Sequence, residues 1–255
     1  MKLADLVLWL DDLLELGKFA KDHSNNGLQV EGRSEVLRIA GGVDACQELF
    51  DAAAAANVDL VIVHHGLSWG DEPRRFTGVT ANRLRTLLAN HISLYAVHLP
   101  LDAHLTYGNN AELARIAGAA NVVPGCEYCG ALIGTLGDFD GKVTVSSLAK
   151  TYEKKLKCGA VGFDEVTGER RIGRALFVSG GGGLMALDAA RDAGADLLVT
   201  GEWTHTMYHY AAEYGIAVIA LGHYASETLG IRALLREIRE RYGLETEFID
   251  LPTRL

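Results

Sequence analysis

His64 and His65 stand side by side at the end of the apolar run 60–63, three of whose four residues are β-branched. Such a run reads as a short strand buried on both faces, the kind found in parallel sheets. Imidazoles bind divalent metals and carry protons near neutral pH. Neighbouring strand residues point to opposite faces, so the pair can serve one place only where the strand stops, and Gly66 supplies that stop. Taken alone, one hydrogen-bonded core histidine and one solvated histidine explain the pair equally well. Two further stretches shift the balance. His98 and Asp102, with His104 close behind, follow the strand-like run 92–97, and His223 and Glu227 follow the run 216–221. With a helix starting near Ala225, a spacing of four lets His223 and Glu227 aim into one crevice and share an ion. Ligands of open α/β sheets gather outside the carboxyl ends of strands. Three such ends therefore deliver His64 and His65, His98 or Asp102, and His223 with Glu227. Five ligands with two carboxylates exceed what one tetrahedral zinc uses. They suit two divalent ions about 3.5 to 4 Å apart, a pair that activates water and polarises an oxygen or ring nitrogen.

The elements that must position these residues alternate between strand and helix. Residues 36–43 read as a strand, 44–56 as an alanine-rich helix, 81–90 as a helix, 92–97 as a strand, 98–110 as a loop and 111–117 as a short helix closed by Gly118. Residues 129–136 and 143–145 and a helix over 146–157 then belong to a second unit. Within it, 176–199 reads as strand, glycine-rich turn, helix and strand, and aligns with 39–62 at an offset of 137. Asp51, Ala52, Ala53, Ala56, Asp59 and Leu60 recur as Asp188, Ala189, Ala190, Ala193, Asp196 and Leu197. A helix over 204–213, a strand over 216–221, a helix over 226–242 and a strand over 246–250 keep step. The recurrence predicts an α/β fold of two topologically related units. The first is expected at 1–125, completed by 215–255, and the second at 126–255, with no linker composition to mark the joint.

The net charge of -9 leaves no basic stripe for phosphate backbones, so nucleic acid is excluded as an expected partner. Residues 2–16 carry three aspartates and repeat leucine at helical spacing, an amphipathic helix rather than a signal peptide, and no run reaches transmembrane length. A soluble cytoplasmic protein is expected. Cys126 and Cys129 form a CxxC with no second CxxC or histidine pair at zinc-finger spacing, so Cys46, Cys126, Cys129 and Cys158 read as reduced structural thiols.

Five motifs carry a resemblance: NGLQVEG at 26–32, VIVHHG at 61–66, HLPLDAH with GNN at 98–110, TGE at 200–202 and GHYASE at 222–227. In order and spacing, from end to end, the chain resembles the GTP cyclohydrolase I type 2 proteins, related to the yeast NGG-interacting factor three and including short bacterial YbgI-type members. The resemblance implies two interlinked α/β domains with the metal site in the cleft between them. It further implies two divalent ions (Zn, Fe, Mn, Co or Ni) held by His64, His65, Asp102, His223 and Glu227, and a toroidal homohexamer with the sites facing its interior. Longer members carry an inserted middle domain, for which this chain is too short. The family name implies opening of the GTP imidazole ring.

Such hydrolysis needs a proton shuttle. His98 is the first candidate, with a role in holding Asp102 as the alternative. Glu202, the counterpart of His65 at the offset of 137, is a base or an orienting group, or a solvated loop carboxylate. Asn26 and Gln29 either touch substrate at the site entrance or form a turn that caps the sheet edge. His205 and His209 read as an exposed helix face rather than a third site. The glycines 180–183 match neither the P-loop nor GxGxxG and read as close strand-to-helix packing rather than a phosphate cradle. The leading expectation is a metal-dependent hydrolase acting on a nucleotide or phosphorylated small molecule. A phosphoesterase and a non-catalytic, metal-stabilised scaffold are the alternatives.

Overall fold

The computed structural model describes residues 1–163 and 169–253. The chain begins with α1 (Leu3–Leu13), β1 (Gly27–Val30), β2 (Arg38–Asp44), α2 (Gln47–Ala55), β3 (Leu60–His65), α3 (Gly78–Ala89), β4 (Ser93–Ala96) and α4 (Leu99–Ala103). It continues with α5 (Asn109–Ala117), β5 (Ala120–Tyr128), β6 (Ala131–Asp138), α6 (Val145–Leu156), β7 (Val161–Phe163) and β8 (Arg174–Val178). The last elements are α7 (Gly183–Asp192), β9 (Leu197–Thr200), α8 (His205–Tyr214), β10 (Ala217–Ala220), α9 (His223–Tyr242) and β11 (Glu245–Phe248). These form two compact units, one of Met1–Leu101 with Ile231–Leu251 and one built on Asp102–Gly230. The joint expected near residue 125, with 215–255 returning to the first unit, is thus displaced. It passes through α4 and α9, and a boundary inside a helix leaves no mark in composition.

In the first unit the sheet runs β1-β4-β3-β2-β11. Its four inner and C-terminal strands pair in parallel and β1 is antiparallel to β4. The unbroken apolar run of β3 follows from burial on both faces. Leu60 and Ile62 pack with Leu6, Leu10, Ile231 and Leu235. Val61 and Val63 pack on the other side with Leu49, Phe50 and Leu87. Side chains alternating at period 2 must then all be apolar. Ala96 lies opposite Val63, and Asp44 opposite His65, so the tandem histidines, Asp44 and His98 all leave the sheet at one edge.

The second unit's sheet runs β5-β6-β8-β9-β10-β7, with β8, β9 and β10 parallel. Its core joins Leu197, Val199 and Ile219 to Leu113, Leu148 and Tyr152. The recurrence is visible in the bonding. Asp59 Oδ2 accepts from the Leu37 and Arg38 amides at 2.9 and 3.0 Å. Asp196 Oδ2 accepts from the Gly173 and Arg174 amides at 2.8 and 3.0 Å. Each aspartate thereby ties the start of its unit's first parallel strand to the turn before the next.

Several local expectations are corrected. Residues 27–30, where a turn capping the sheet edge was one expectation, form β1 because β4 offers them a free edge. The 98–110 segment, expected as a loop, holds α4 and the start of α5 on either side of a turn at 104–108. Residues 143–145 give no strand; α6 starts at Val145. Most of β5 is exposed and carries no apolar run, so its start has no signal in the sequence. Among the described residues, no helix is long and apolar enough to cross a membrane.

Candidate metal centre

Three imidazoles converge in the first unit. His64 is fully buried at the end of β3, and its Nδ1 donates to the Val97 carbonyl at 2.8 Å. His65 Nδ1 donates to Asp44 Oδ1 at 2.8 Å, and His98 Nδ1 to Asp22 Oδ1 at 2.9 Å. The His64 ring centre lies 4.8 Å from that of His65 and 5.1 Å from that of His98. One ring nitrogen from each of the three lies within 4.8 Å of the other two. A carbonyl or carboxylate oxygen can only accept, so each Nδ1 carries a proton, and in the neutral ring Nε2 is then the atom able to bind a metal. That tautomer is the one in which metal-ligating histidines are held by carboxylate or carbonyl partners. His104 makes the opposite choice: its Nδ1 accepts from the Thr106 and Tyr107 amides, which puts the proton on Nε2.

The segment before β1 fixes His98. Asp22 Oδ2 accepts from the Leu99 amide at 3.0 Å and from Asn26 Nδ2 at 2.9 Å, while Asn26 Oδ1 accepts from the His98 amide at 2.7 Å. Burial pushes the Asp22 carboxyl up, but the hydrogen bond and charge of His98, with Asn26 and the Ser24 amide, outweigh it and hold the group below its usual value. Gln29 is equally committed. Its Oε1 accepts from the Leu67 and Ser68 amides, and its Nε2 donates to the Asn25 and Ser68 carbonyls. Gly66 makes room for it, since a Cβ there would stand 2.4 Å from Gln29 Oε1. Both side chains thus serve the alternative expected for them, holding a turn. Their amide groups are spent on the backbone that carries His98 and on the turn after His65.

The second unit gathers carboxylates around one imidazole. His223 opens α9 rather than preceding it, because the helix begins two residues earlier than expected. Its Nδ1 bonds Glu202 Oε1 at 2.7 Å and its Nε2 stands 3.2 Å from Glu227 Oε2. The Glu227 hydrogen bond, opposed by burial and aided by the charges of both glutamates, pushes the His223 ring up to about 9. Glu202 thus orients a histidine. Glu227 is almost fully buried against Gly180, whose φ is +62° and where a Cβ would lie 2.1 Å from Oε1 and 3.1 Å from His223 Nε2. Within the glycine run, Gly182 shows the close packing expected, a Cβ there meeting Ala186 of α7 at 2.8 Å, while Gly180 makes room for the Glu227 carboxylate. Asp102 is 5% exposed, and its Oδ1 accepts from Asn109 Nδ2 at 2.9 Å and Ser179 Oγ at 3.1 Å.

Asp44, Asp22, Asn109 and Ser179 are absent from the sequence-based candidates. Asp44 is within reach of such reasoning, since the register that sets β2 beside β3 puts Asp44 opposite His65. Asp22 carries no comparable signal. His205 and His209 lie exposed on α8. Cys126 and Cys129 belong to none of the described groups of three or more side chains spaced to hold an ion. Burial pushes the Cys126 thiol up to about 11, which suits an inert structural residue.

The donor chemistry fits divalent cations: imidazoles with Nδ1 anchored on oxygen, and the buried carboxylates of Asp102 and Glu227, the latter seated against Gly180. The family model described as Duf34/NIF3 (NGG1p interacting factor 3) matches residues 1–254. An Archaeoglobus fulgidus protein named GTP cyclohydrolase 1 type 2 homolog is 44% identical over all of both chains. A solved structure described as protein ybgI, of unknown function, superposes with a TM-score of 0.91 at 38% identity over all of both chains. The structure of TTHA1606 from Thermus thermophilus does so at 0.87 and 36%, again over all of both chains.

Proposed function

The chain belongs to the Duf34/NIF3 (NGG1p interacting factor 3) family, and from that premise we propose that it is a metal-dependent hydrolase of nucleotides or phosphorylated small molecules. Opening of the GTP imidazole ring is the named version, drawn from the relatives called GTP cyclohydrolase 1 type 2 homolog. His64, His65, Asp102, His223 and Glu227 would hold two divalent ions. The observation that carries the reading is the common anchoring of Nδ1 on an oxygen acceptor in His64, His65, His98 and His223. Divalent ions there supply Lewis acidity, polarising an oxygen or ring nitrogen and acidifying water.

The chain's own residues do the rest. Asp44 and Glu202 orient His65 and His223, and Asn109 and Ser179 orient Asp102. His98 takes a proton at Nε2 and returns it, while Asp22 keeps Nδ1 protonated and stabilises the imidazolium that forms. The assembly is a homohexamer and the compartment the cytoplasm, both testable by light scattering and fractionation. The deciding experiment loads the protein with Zn, Mn, Fe, Co or Ni and screens turnover of GTP, other nucleotides and generic phosphoesters. Metal-dependent turnover of GTP supports the named version. Turnover of phosphoesters alone makes it a phosphoesterase. No turnover, with thermal stability lost on chelation, makes it a scaffold.

A further inference from the structure

Trp69 packs on two rings of the imidazole set. Its ring centre lies 5.1 Å from that of His98, edge to face, and 6.0 Å from that of His65. The indole Nε1 donates to the Gly66 carbonyl at 3.0 Å. Its only polar atom is thereby used within its own turn, so the ring offers its surroundings π faces and edges alone.

The turn that carries it is held in place from several sides. Besides the four Gln29 bonds, Asn25 Nδ2 donates to Ser68 Oγ at 2.6 Å and to the Gly70 carbonyl at 2.9 Å. The Asn25 amide donates to the Ser68 carbonyl and the Gly70 amide to the His23 carbonyl. Trp69 itself nonetheless stays half-buried. The ring thus stands on a turn fixed by these bonds, partly in solvent and beside the imidazoles of His65 and His98, with aromatic surface left open to contact.

We infer that Trp69 contacts the substrate and selects a planar heteroaromatic ring such as a purine by stacking. The inference rests on the hydrolase reading and deepens it. Phosphate and metal contacts would be common to many phosphorylated compounds, and a rigid indole beside the reacting centre discriminates those that bring a ring.

The test uses the full-length, metal-loaded protein with two probes, GTP and inorganic triphosphate, measuring binding, turnover and metal content in the same samples. Trp69→Ala is expected to weaken GTP binding by about tenfold or more, leaving triphosphate binding and metal content unchanged, and Trp69→Phe to recover most of the loss. Should the alanine variant fail to fold, Trp69→Leu, which keeps apolar volume without an aromatic face, carries the same expectation. The assignment is overturned by equal loss for both probes, by loss of metal, by unchanged GTP binding, or by a wild type that holds GTP no tighter than triphosphate. Ring-dependent binding without turnover upholds Trp69 and overturns the hydrolase reading instead.

Discussion

The two units place related strands under opposite chemistries. At the edge of the first sheet stand three imidazoles, each with its Nδ1 on an oxygen. At the matching edge of the second stands one imidazole between Glu202 and Glu227, and the same unit buries Asp102 in the grip of Asn109 and Ser179. The offset of 137 makes the exchange explicit. His65 corresponds to Glu202, and Asp44, which backs His65, corresponds to Gly181, where a Cβ would stand 3.4 Å from Glu202 Oε2. One copy thus keeps base beside acid, and the other has lost the acid side chain and turned its counterpart of His65 into an acid. The related frames end in different donors: three imidazoles at the edge of the first sheet, and one imidazole with carboxylates in the second unit.

If both sets serve the same ions, deleting a donor from either must release metal. Glu227→Ala and His65→Ala are each expected to weaken metal binding by more than about tenfold, read by competition with a chromogenic chelator. Loss confined to one variant would separate the sets. Next in size is Gly180→Ala, which puts a methyl group against the Glu227 carboxylate at a positive φ. A destabilisation of about 1 to 3 kcal/mol in urea unfolding is expected, with weaker metal binding. An unchanged midpoint would show that Glu227 can swing aside at no cost.

The orienting acids should matter less than the ligands. Asp44→Asn and Glu202→Gln are each expected to lower metal affinity by about tenfold while leaving the fold intact. Circular dichroism checks the fold, and equal affinity to wild type would reduce these contacts to ordinary surface pairs.

The units should also answer pH with opposite sign. His223 is raised from its ordinary value to about 9. Without a competing cation, its ion pairs stabilise the fold fully below the ordinary histidine range, and that contribution is lost as pH rises towards and through about 9. Asp22 is lowered, so its contribution is present above the usual carboxylate range and lost as pH falls through its depressed value. Urea unfolding after chelation should therefore show Glu202→Gln reducing the high-pH loss and Asp22→Asn reducing the low-pH loss. Swapped assignments would contradict the two environments.

Much of this is legible without coordinates. The all-apolar run 60–63 demands a strand buried on both faces, and the recurrence of Asp59 as Asp196 foretells two related sheets with parallel cores. What stays hidden is set by long-range pairing. Residues 27–30 are a strand only because β4 offers an edge, and Asp22 matters only because the chain folds back 76 positions to meet His98. Asn26 and Gln29 mark the right region, but their part in holding the turns beside His65 and His98 shows only in the bonds they make to distant backbone.

The most direct test of the central claim is the number and position of ions, obtained by elemental analysis together with anomalous scattering from a crystal. The account predicts two divalent ions per chain, bound through His64, His65, Asp102, His223 and Glu227. A single ion on the exposed His205 and His209, or none after loading, would contradict it.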